Sequence, residues 1–181
     1  MSTPAPERLT KLDVVQRQLR TALHMFFADD DTVSAYTLAA AVEGVLAGLL
    51  ERQGKTHPFR ESDLIRKGME REFNRILNRP RNFFKHAKTD PEEVLEFPVI
   101  ALDYLLLECT VLYRMYRGKN LREGWLFFVW FGIHYPDVVE DGPAKPFLDS
   151  LKQQAPTLAT AKGTYLELLS RPDLYPTPDL D

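Results

Sequence analysis

The spacing of apolar residues along the chain is typical of helices over most of its length. From Leu12 onward, apolar side chains return every three or four residues, which is the period of one face of an α-helix. This first helical face comprises Val15, Leu19, Ala22, Leu23, Phe26 and Phe27. The acidic residues 29–31 break the pattern and offer a side-chain cap for the next helix.

A second helix is predicted over about 33–53, ending at Gly54, because glycine readily adopts the left-handed conformation that closes a helix. Its expected buried stripe is Leu38, Ala41, Val45 and Leu49. Many other positions of this helix are small, so it could approach a neighbouring helix closely. Glu43 lies among these small residues, and we expect it either at the solvent edge or paired with a buried group.

The middle of the chain predicts two helical segments separated by Pro80. Ser62 can cap the first, whose apolar stripe is Ile65, Met69, Phe73 and Ile76. We expect Pro80 to interrupt the helix, because the residue before a proline is disfavoured in helical conformation. A short helix over about 81–87 is expected to follow.

The remaining sequence predicts two long helices and two short ones. The segment 90–93 (DPEE) favours the start of a helix that runs to about Arg117 and ends at Gly118. The next, over about 121–134, is almost wholly apolar and should be buried. Weaker helical patterns cover 143–153 and 157–169, and no segment alternates like a strand. We therefore expect an all-α protein, an irregular up-and-down bundle of about five main helices plus two shorter C-terminal ones.

Length and composition are those of an ordinary globular protein. The 181 residues suit one domain over 1–170, followed by a flexible proline-rich tail at 171–181. The apolar runs fall short of the roughly 20 residues of a membrane span, and the first residues lack the apolar core of a signal peptide. We expect a cytoplasmic protein without membrane contact. The single cysteine, Cys109, excludes an internal disulfide, and no paired glutamate-histidine motif occurs, so neither a metal nor a cofactor is expected.

Positive charge is concentrated in one block of an otherwise acidic chain. Residues 60–88 hold nine basic and four acidic side chains, although the net charge of the protein is −3. Four of the basic residues follow one another at steps of four along the predicted third helix: Lys67, Arg71, Arg75 and Arg79. This ridge predicts a binding surface for an anionic partner, with an ordinary solvated helix face as the alternative.

The segment 81–86 (RNFFKH) combines residue types suited to RNA cleavage. Arg81 and His86 are separated by four residues, and the polar Asn82 follows the arginine. A histidine can exchange protons near neutral pH, and a planar guanidinium can meet a phosphate with two hydrogen bonds. The same spacing joins Arg52 to His57, but there it falls in a predicted loop.

RNFFKH resembles the signature of the HEPN superfamily, helical proteins that include many RNases of toxin–antitoxin and defence systems. The longer stretches DTVSAYTLAAAVEGVL and RNFFKHAKTDPEEVLEF also look like a group of bacterial HEPN-like proteins. The resemblance implies a metal-independent endoribonuclease acting as a homodimer, with an antitoxin or another protein as partner. His86 would be the general acid or base, Arg81 the phosphate stabiliser and Asn82 a positioning residue.

The resemblance also implies an RNA-binding surface around the motif. The residues expected to hold the RNA backbone are Lys67, Arg71, Arg75, Arg79, Lys85 and Lys88. Glu43 is a candidate third member of the site, because HEPN-like proteins sometimes add an acidic residue from another helix. The role of Asp103, another acid in an apolar run, is left open.

Two other functions remain open on the sequence alone. The chain could be a catalytically inert helical module that binds RNA or a protein partner through the basic ridge. It could also be a scaffold whose aromatic helix around 125–131 is buried in an oligomer. In that case Trp125, Phe128 and Trp130 would make contacts between copies rather than stack on bases.

Overall fold

The computed structural model describes residues 5–57, 78–86, 91–136, 149, 153 and 161–171. Within these ranges, five helices are described with both their ends: α1 (Lys11–Phe27), α2 (Thr32–Glu51), α3 (Ile100–Arg117), α4 (Arg122–His134) and α5 (Lys162–Ser170). Residues 78–83 are helical as well, and the described residues contain no strand. The all-α prediction is confirmed. The helix expected to begin at Ser62, most of 143–153 and nearly all of the tail lie outside the described residues.

The first two helices begin where capping side chains predict. Asp13 and Thr10 form a capping box at α1, in which the Thr10 hydroxyl accepts from the Asp13 N–H and the Asp13 carboxylate accepts from the Thr10 N–H. The carboxylate of Asp31 accepts from the N–H groups of Val33 and Ser34 at the start of α2. All six apolar residues predicted on the first helical face are buried.

The buried face predicted for α2 is wrong. Leu38, Ala41, Val45 and Leu49 are only half-buried. The buried face consists of Ala35, Tyr36, Ala39, Ala40, Val42, Glu43, Leu46 and Leu50. Because α2 is apolar on nearly all sides, the spacing of its residues does not single out one buried face. Which face is buried is determined by the packing of α2 against α1 and α3.

The apolar character of α2 also meets the length and composition of a membrane span. Its mean hydropathy reaches 1.6, and 44% of that window is buried inside the structure. Buried core helices meet the same criterion, and α2 packs extensively on two other helices. Composition alone therefore does not distinguish a span from a core helix here, and cytoplasmic localisation stays a prediction.

The start predicted for the fourth helix is also wrong. Residues 91–99 are not helical, and α3 begins at Ile100, directly after Pro98 and Val99. Pro98 explains the late start, because it restricts the residue before it and is itself compatible only with a first helical turn. Its carbonyl accepts from the N–H of Ala101. The end is as predicted, with Gly118 in the left-handed region at φ 71°.

Pro80 does not interrupt the helix at the point predicted, since residues 78–83 are helical on both sides of it. A proline lacks only its own N–H donor, and the Pro80 carbonyl still accepts from the Phe84 N–H at 2.9 Å. Phe84 packs against Tyr36 of α2 and Phe97, with ring centroids 5.8 and 5.5 Å away. These contacts attach the segment that carries Arg81 to the helical core.

The core has two parts, the packing of α2 against its neighbouring helices and a cluster of aromatic side chains from α1 and α4. α2 packs against α1 and α3, while α4 and α5 both pack against α1. Phe26 of α1 contacts Phe127 and Trp130 of α4 at centroid distances of 5.1 and 4.7 Å. The predicted burial of α4 is thus confirmed, since all its aromatic residues except the half-buried Phe128 are buried.

Candidate functional site

A fully buried carboxylate lies in the core face of α2. Glu43 has no exposed surface, although its neighbours on that face are apolar. A buried charge is costly unless partners offset it. Arg81 supplies one such partner, since its Nη2 lies 2.8 Å from Oε2 of Glu43. We expected Glu43 either at the solvent edge or paired with a buried group, and the structure shows it buried and paired.

His57 and Glu108 complete a compact polar group around this carboxylate. The Nε2 atom of His57 lies 3.2 Å from Oε1 of Glu43 and 3.1 Å from Oε1 of Glu108. His57 and Glu108 are themselves buried, at 9% and 5% exposure. We call Glu43, His57, Arg81 and Glu108 together the Glu43 cluster.

Four separate parts of the chain deliver these side chains. Glu43 and Glu108 come from the packed helices α2 and α3, while Arg81 comes from the helical residues 78–83. His57 follows a turn in which Gly54 adopts φ 69°. The Lys55 ammonium donates to the carbonyl oxygen of Met115 at 2.7 Å, which ties this turn to α3. The turn that leads to His57 is therefore attached to α3.

The Glu43 cluster borders an open cleft of about 570 Å³. Glu43, His57 and Arg81 contribute to its lining, and Gly44 and Gly48 form part of its wall. A Cβ added at either glycine would meet no heavy atom within 4 Å, so this wall is open to solvent. The Arg81 side chain keeps 18% of its surface exposed. Arg81 is therefore the most exposed side chain of the Glu43 cluster.

Two neighbouring groups feel the charges of this cluster. Burial raises the pKa of Tyr36 to about 12, and Glu108 and Glu43 add to the rise while Arg81 opposes it. Burial, together with the negative charge of the same two glutamates, also raises the pKa of the Cys109 thiol. The Cys109 thiol donates to the Ala39 carbonyl oxygen at 3.2 Å. At neutral pH both groups stay protonated, as expected of a structural tyrosine and an unreactive thiol.

The structure separates the residues of the RNFFKH motif. Arg81 belongs to the Glu43 cluster, whereas Asn82 and His86 are exposed. Within the described part of the chain, no hydrogen bond or ion pair joins the side chains of Arg81 and His86. Residues five positions apart on an ideal helix point about 140° away from each other, but here the helix ends at residue 83, so His86 is placed by the turn that follows it.

The described basic residues lie on the surface, away from the buried cluster. Arg79 pairs with Glu93 at 3.0 Å, and Lys85 is exposed. Lys67, Arg71, Arg75 and Lys88 lie outside the described residues, so the basic ridge stays a prediction. Asp103 belongs elsewhere: its carboxylate accepts from the Tyr135 hydroxyl at 2.6 Å, and burial raises its pKa.

Sequence reasoning missed two members of the Glu43 cluster. His57 was assigned to a loop, which is correct, but its burial between two carboxylates was not foreseen. The repeat of the Arg81–His86 spacing at Arg52 and His57 was the available signal. Glu108 carried a signal like that of Glu43, an acid within an apolar run, but nothing in the sequence linked the two.

Comparison of the chain with protein-family models, with curated proteins and with solved structures finds no match.

Proposed function

We propose that this chain is a metal-independent endoribonuclease of the HEPN type whose reaction centre is the Glu43 cluster. The observation that carries the proposal is the position of Arg81. Its guanidinium is held by Glu43 at the wall of an open cleft, and the buried His57 lines the same cleft. An arginine and a histidine beside one cavity are the two groups that cleavage of RNA through its own 2′-hydroxyl requires.

The guanidinium of Arg81 can serve both the protein and a substrate. It has five N–H donors in a fixed plane, and Glu43 engages Nη2. The Nε donor is buried, so a phosphate that enters the cleft would be met by the Nη donors that do not face Glu43. Negative charge on the phosphate oxygens increases as the pentacoordinate transition state forms, so a fixed guanidinium stabilises it more than the ground state.

His57 is suited to move the proton. Because Nε2 faces the two carboxylates, the base is Nδ1, and a side-chain movement has to open this buried nitrogen to the cleft. Nδ1 then takes the proton of the 2′-hydroxyl, whose oxygen attacks the adjacent phosphorus and displaces the 5′-oxygen of the next nucleotide. The products are a 2′,3′-cyclic phosphate and a 5′-hydroxyl end. Glu43 and Glu108, both within 3.2 Å of Nε2, orient the imidazole and stabilise its protonated form.

The exposed part of the motif would act between two copies of the chain. The HEPN resemblance implies a homodimer in which the motifs of both protomers meet. His86 and Asn82 are exposed, so a second copy can reach them. In such a dimer His86 would protonate the leaving 5′-oxygen and Asn82 would position the phosphate. The basic residues from Lys67 to Lys88 would hold the RNA backbone, and an antitoxin could bind the same surface.

The test compares three histidine variants in RNA cleavage assays with excess chelator. We expect wild type to cleave RNA and His57→Gln to lose about 100-fold or more in rate, as removal of a general base does. The matched control is His24→Gln, an exposed histidine on α1, which should cleave like wild type. His86→Gln should also lose activity if the site spans two protomers.

Two results would overturn the proposal. One is wild-type protein that leaves RNA intact in the presence of chelator. The other is a His57→Gln variant that is folded and cleaves at the wild-type rate, because that result would remove the Glu43 cluster from the reaction. Circular dichroism and urea unfolding of each variant show whether a lost rate reflects a lost fold.

One observation favours a second candidate, the catalytically inert binding module. Arg81 is already engaged by a buried carboxylate, and such a contact could serve only to fix residues 78–86 on the helical core. This function predicts RNA binding that weakens steeply with salt, without cleavage. Fluorescence anisotropy with labelled RNA at increasing salt concentration, next to the cleavage assay, separates the two functions.

A further inference from the structure

The Glu43 cluster brings three metal-ligating side chains to one point. Nε2 of His57 and a carboxylate oxygen from each of Glu43 and Glu108 lie within 4.8 Å of one another. Each of the three side chains is at least nine-tenths buried. They come from α2, from α3 and from the loop after α2, so the fold holds the donor set from three directions.

The charges of the four cluster residues themselves do not cancel when His57 is neutral. Glu43 and Glu108 bring two negative charges, whereas Arg81 brings one positive charge. Buried charges without compensation are strongly destabilising. Within the cluster, a proton on His57 or a bound cation at the same place would add the positive charge that balances the two carboxylates.

The measured separations fit a cation shared by the three groups. Bonds from zinc to imidazole nitrogen and carboxylate oxygen are about 2.0–2.2 Å long, so two ligand atoms at 90–110° lie about 2.9–3.5 Å apart. The Nε2 atom of His57 is 3.2 and 3.1 Å from the two carboxylate oxygens. The two carboxylate oxygens lie within 4.8 Å of each other, so an ion between the three atoms requires them to close around it.

The kind of donor selects the kind of ion. One imidazole nitrogen with two carboxylates suits Zn²⁺, Mn²⁺ or Fe²⁺, whereas Mg²⁺ and Ca²⁺ prefer oxygen ligands alone. Three protein ligands leave at least one coordination position open, and the adjacent cleft gives water or a substrate access to it. We propose that Glu43, His57 and Glu108 form a binding site for one divalent transition-metal ion. Arg81 is a positioning residue in this site, because its contact with Oε2 directs Oε1 of Glu43 towards the ion.

This site departs from the sequence expectation that no metal is bound, and it shares its residues with the proposed reaction centre. With an ion on Nε2, the proton of the neutral His57 ring lies on Nδ1, so the ring has no free lone pair left to act as a base. Metal binding and metal-free cleavage are then alternative states of the same cluster, and the ion acts as an inhibitor of the ribonuclease.

The experiment measures metal binding without RNA, so its failure is distinct from a failure of the ribonuclease proposal. Chelator-treated full-length protein is titrated with ZnCl₂ and, separately, with MgCl₂ by calorimetry. We expect one Zn²⁺ per chain in the micromolar range or tighter, and no comparable binding of Mg²⁺. Zinc at about 100 times its dissociation constant should raise the unfolding midpoint by about 5–10 °C.

Two variants locate the site, and two others serve as controls. Glu108→Gln and His57→Gln should each weaken zinc binding at least tenfold. Even residues that only hydrogen-bond to a metal ligand contribute about 10–100-fold to metal affinity, so loss of a ligand itself should cost no less. The matched controls are Asp103→Asn, another buried acid on α3, and His24→Gln, and both should bind like wild type. The absence of zinc binding by wild type would overturn the site, as would unchanged binding by folded Glu108→Gln and His57→Gln.

A measurement on the wild-type protein covers the case in which the variants do not fold. Imidazole NMR signals of the four histidines are followed as zinc is added. We expect one histidine to shift in proportion to site occupancy while the exposed His24 and His86 stay in place. Shifts confined to His24 or His86 would place the metal on the surface and overturn the inference.

Discussion

At the scale of single residues, Glu43 carries a carboxylate into the apolar face of α2, and its neighbours have to compensate for that charge. Arg81 and His57 do so from segments 38 and 14 residues away in sequence. The sequence marks Glu43 as unusual and Arg81 as a candidate site residue. Their pairing could not be predicted, because it depends on which face of α2 is buried. For the same reason, the sequence did not indicate that Glu108 and His57 lie beside Glu43.

The pair makes a specific prediction about stability. Arg81→Met leaves the Glu43 carboxylate buried with less compensation, so we expect the free energy of unfolding to fall by about 3–5 kcal/mol. Adding Glu43→Gln removes the buried charge and should recover a large part of that loss. Urea unfolding of wild type, both single variants and the double variant measures the coupling. A double variant no more stable than Arg81→Met would show that the two side chains do not depend on each other.

At the scale of helices, prediction succeeded where one local signal was unambiguous. The amphipathic α1 has one apolar face and a capping box, so both its start and its buried side followed from spacing. The buried face of α2 did not, because apolar residues surround that helix. The start of α3 was misplaced because the acidic segment at 91–93 resembles a helix start, whereas Pro98 controls where the helix begins.

The end of α3 offers a test at this scale. Gly118 adopts φ 71°, where a side chain is strained, so Gly118→Ala should lower the free energy of unfolding by about 1–2 kcal/mol. Gly48→Ala is the matched control, because Gly48 lies within α2 and a Cβ there meets no atom within 4 Å. This control should be stabilising by about 0.5–1 kcal/mol. Equal effects of the two substitutions in urea unfolding would contradict the left-handed conformation of Gly118.

At the scale of the molecule, the described helices form one packed core with a polar group at one end. Phe127 and Trp130 of α4 pack against Phe26 of α1 within one chain, so these two side chains contribute to the core of the single copy. Half-buried Phe128 remains beside a second cleft, lined also by Trp125 and Arg114. The all-α class was predictable because every helix contributes its own periodicity. The site was not, because it forms only where four distant segments meet.

Whether the aromatic contacts lie within one chain can be tested by measuring the stability of variants at different protein concentrations. Phe127 is fully buried, so Phe127→Ala should lower the free energy of unfolding by about 3–5 kcal/mol. The loss should be the same at low and high protein concentration, because the contacts lie within one chain. Phe128→Ala, at a half-buried position, should cost less. A deficit of Phe127→Ala that disappears at high concentration would instead place these contacts between copies.

The most direct test of the central claim is the cleavage rate of Arg81→Lys in the presence of chelator. Lysine can keep a positive charge beside Glu43, but it lacks the planar donor pair that meets a phosphate. We predict a loss of about 100-fold in cleavage rate, the scale of removing one transition-state donor, with an unfolding midpoint close to that of wild type. An Arg81→Lys protein that cleaves RNA as fast as wild type would contradict a reaction centre at the Glu43 cluster.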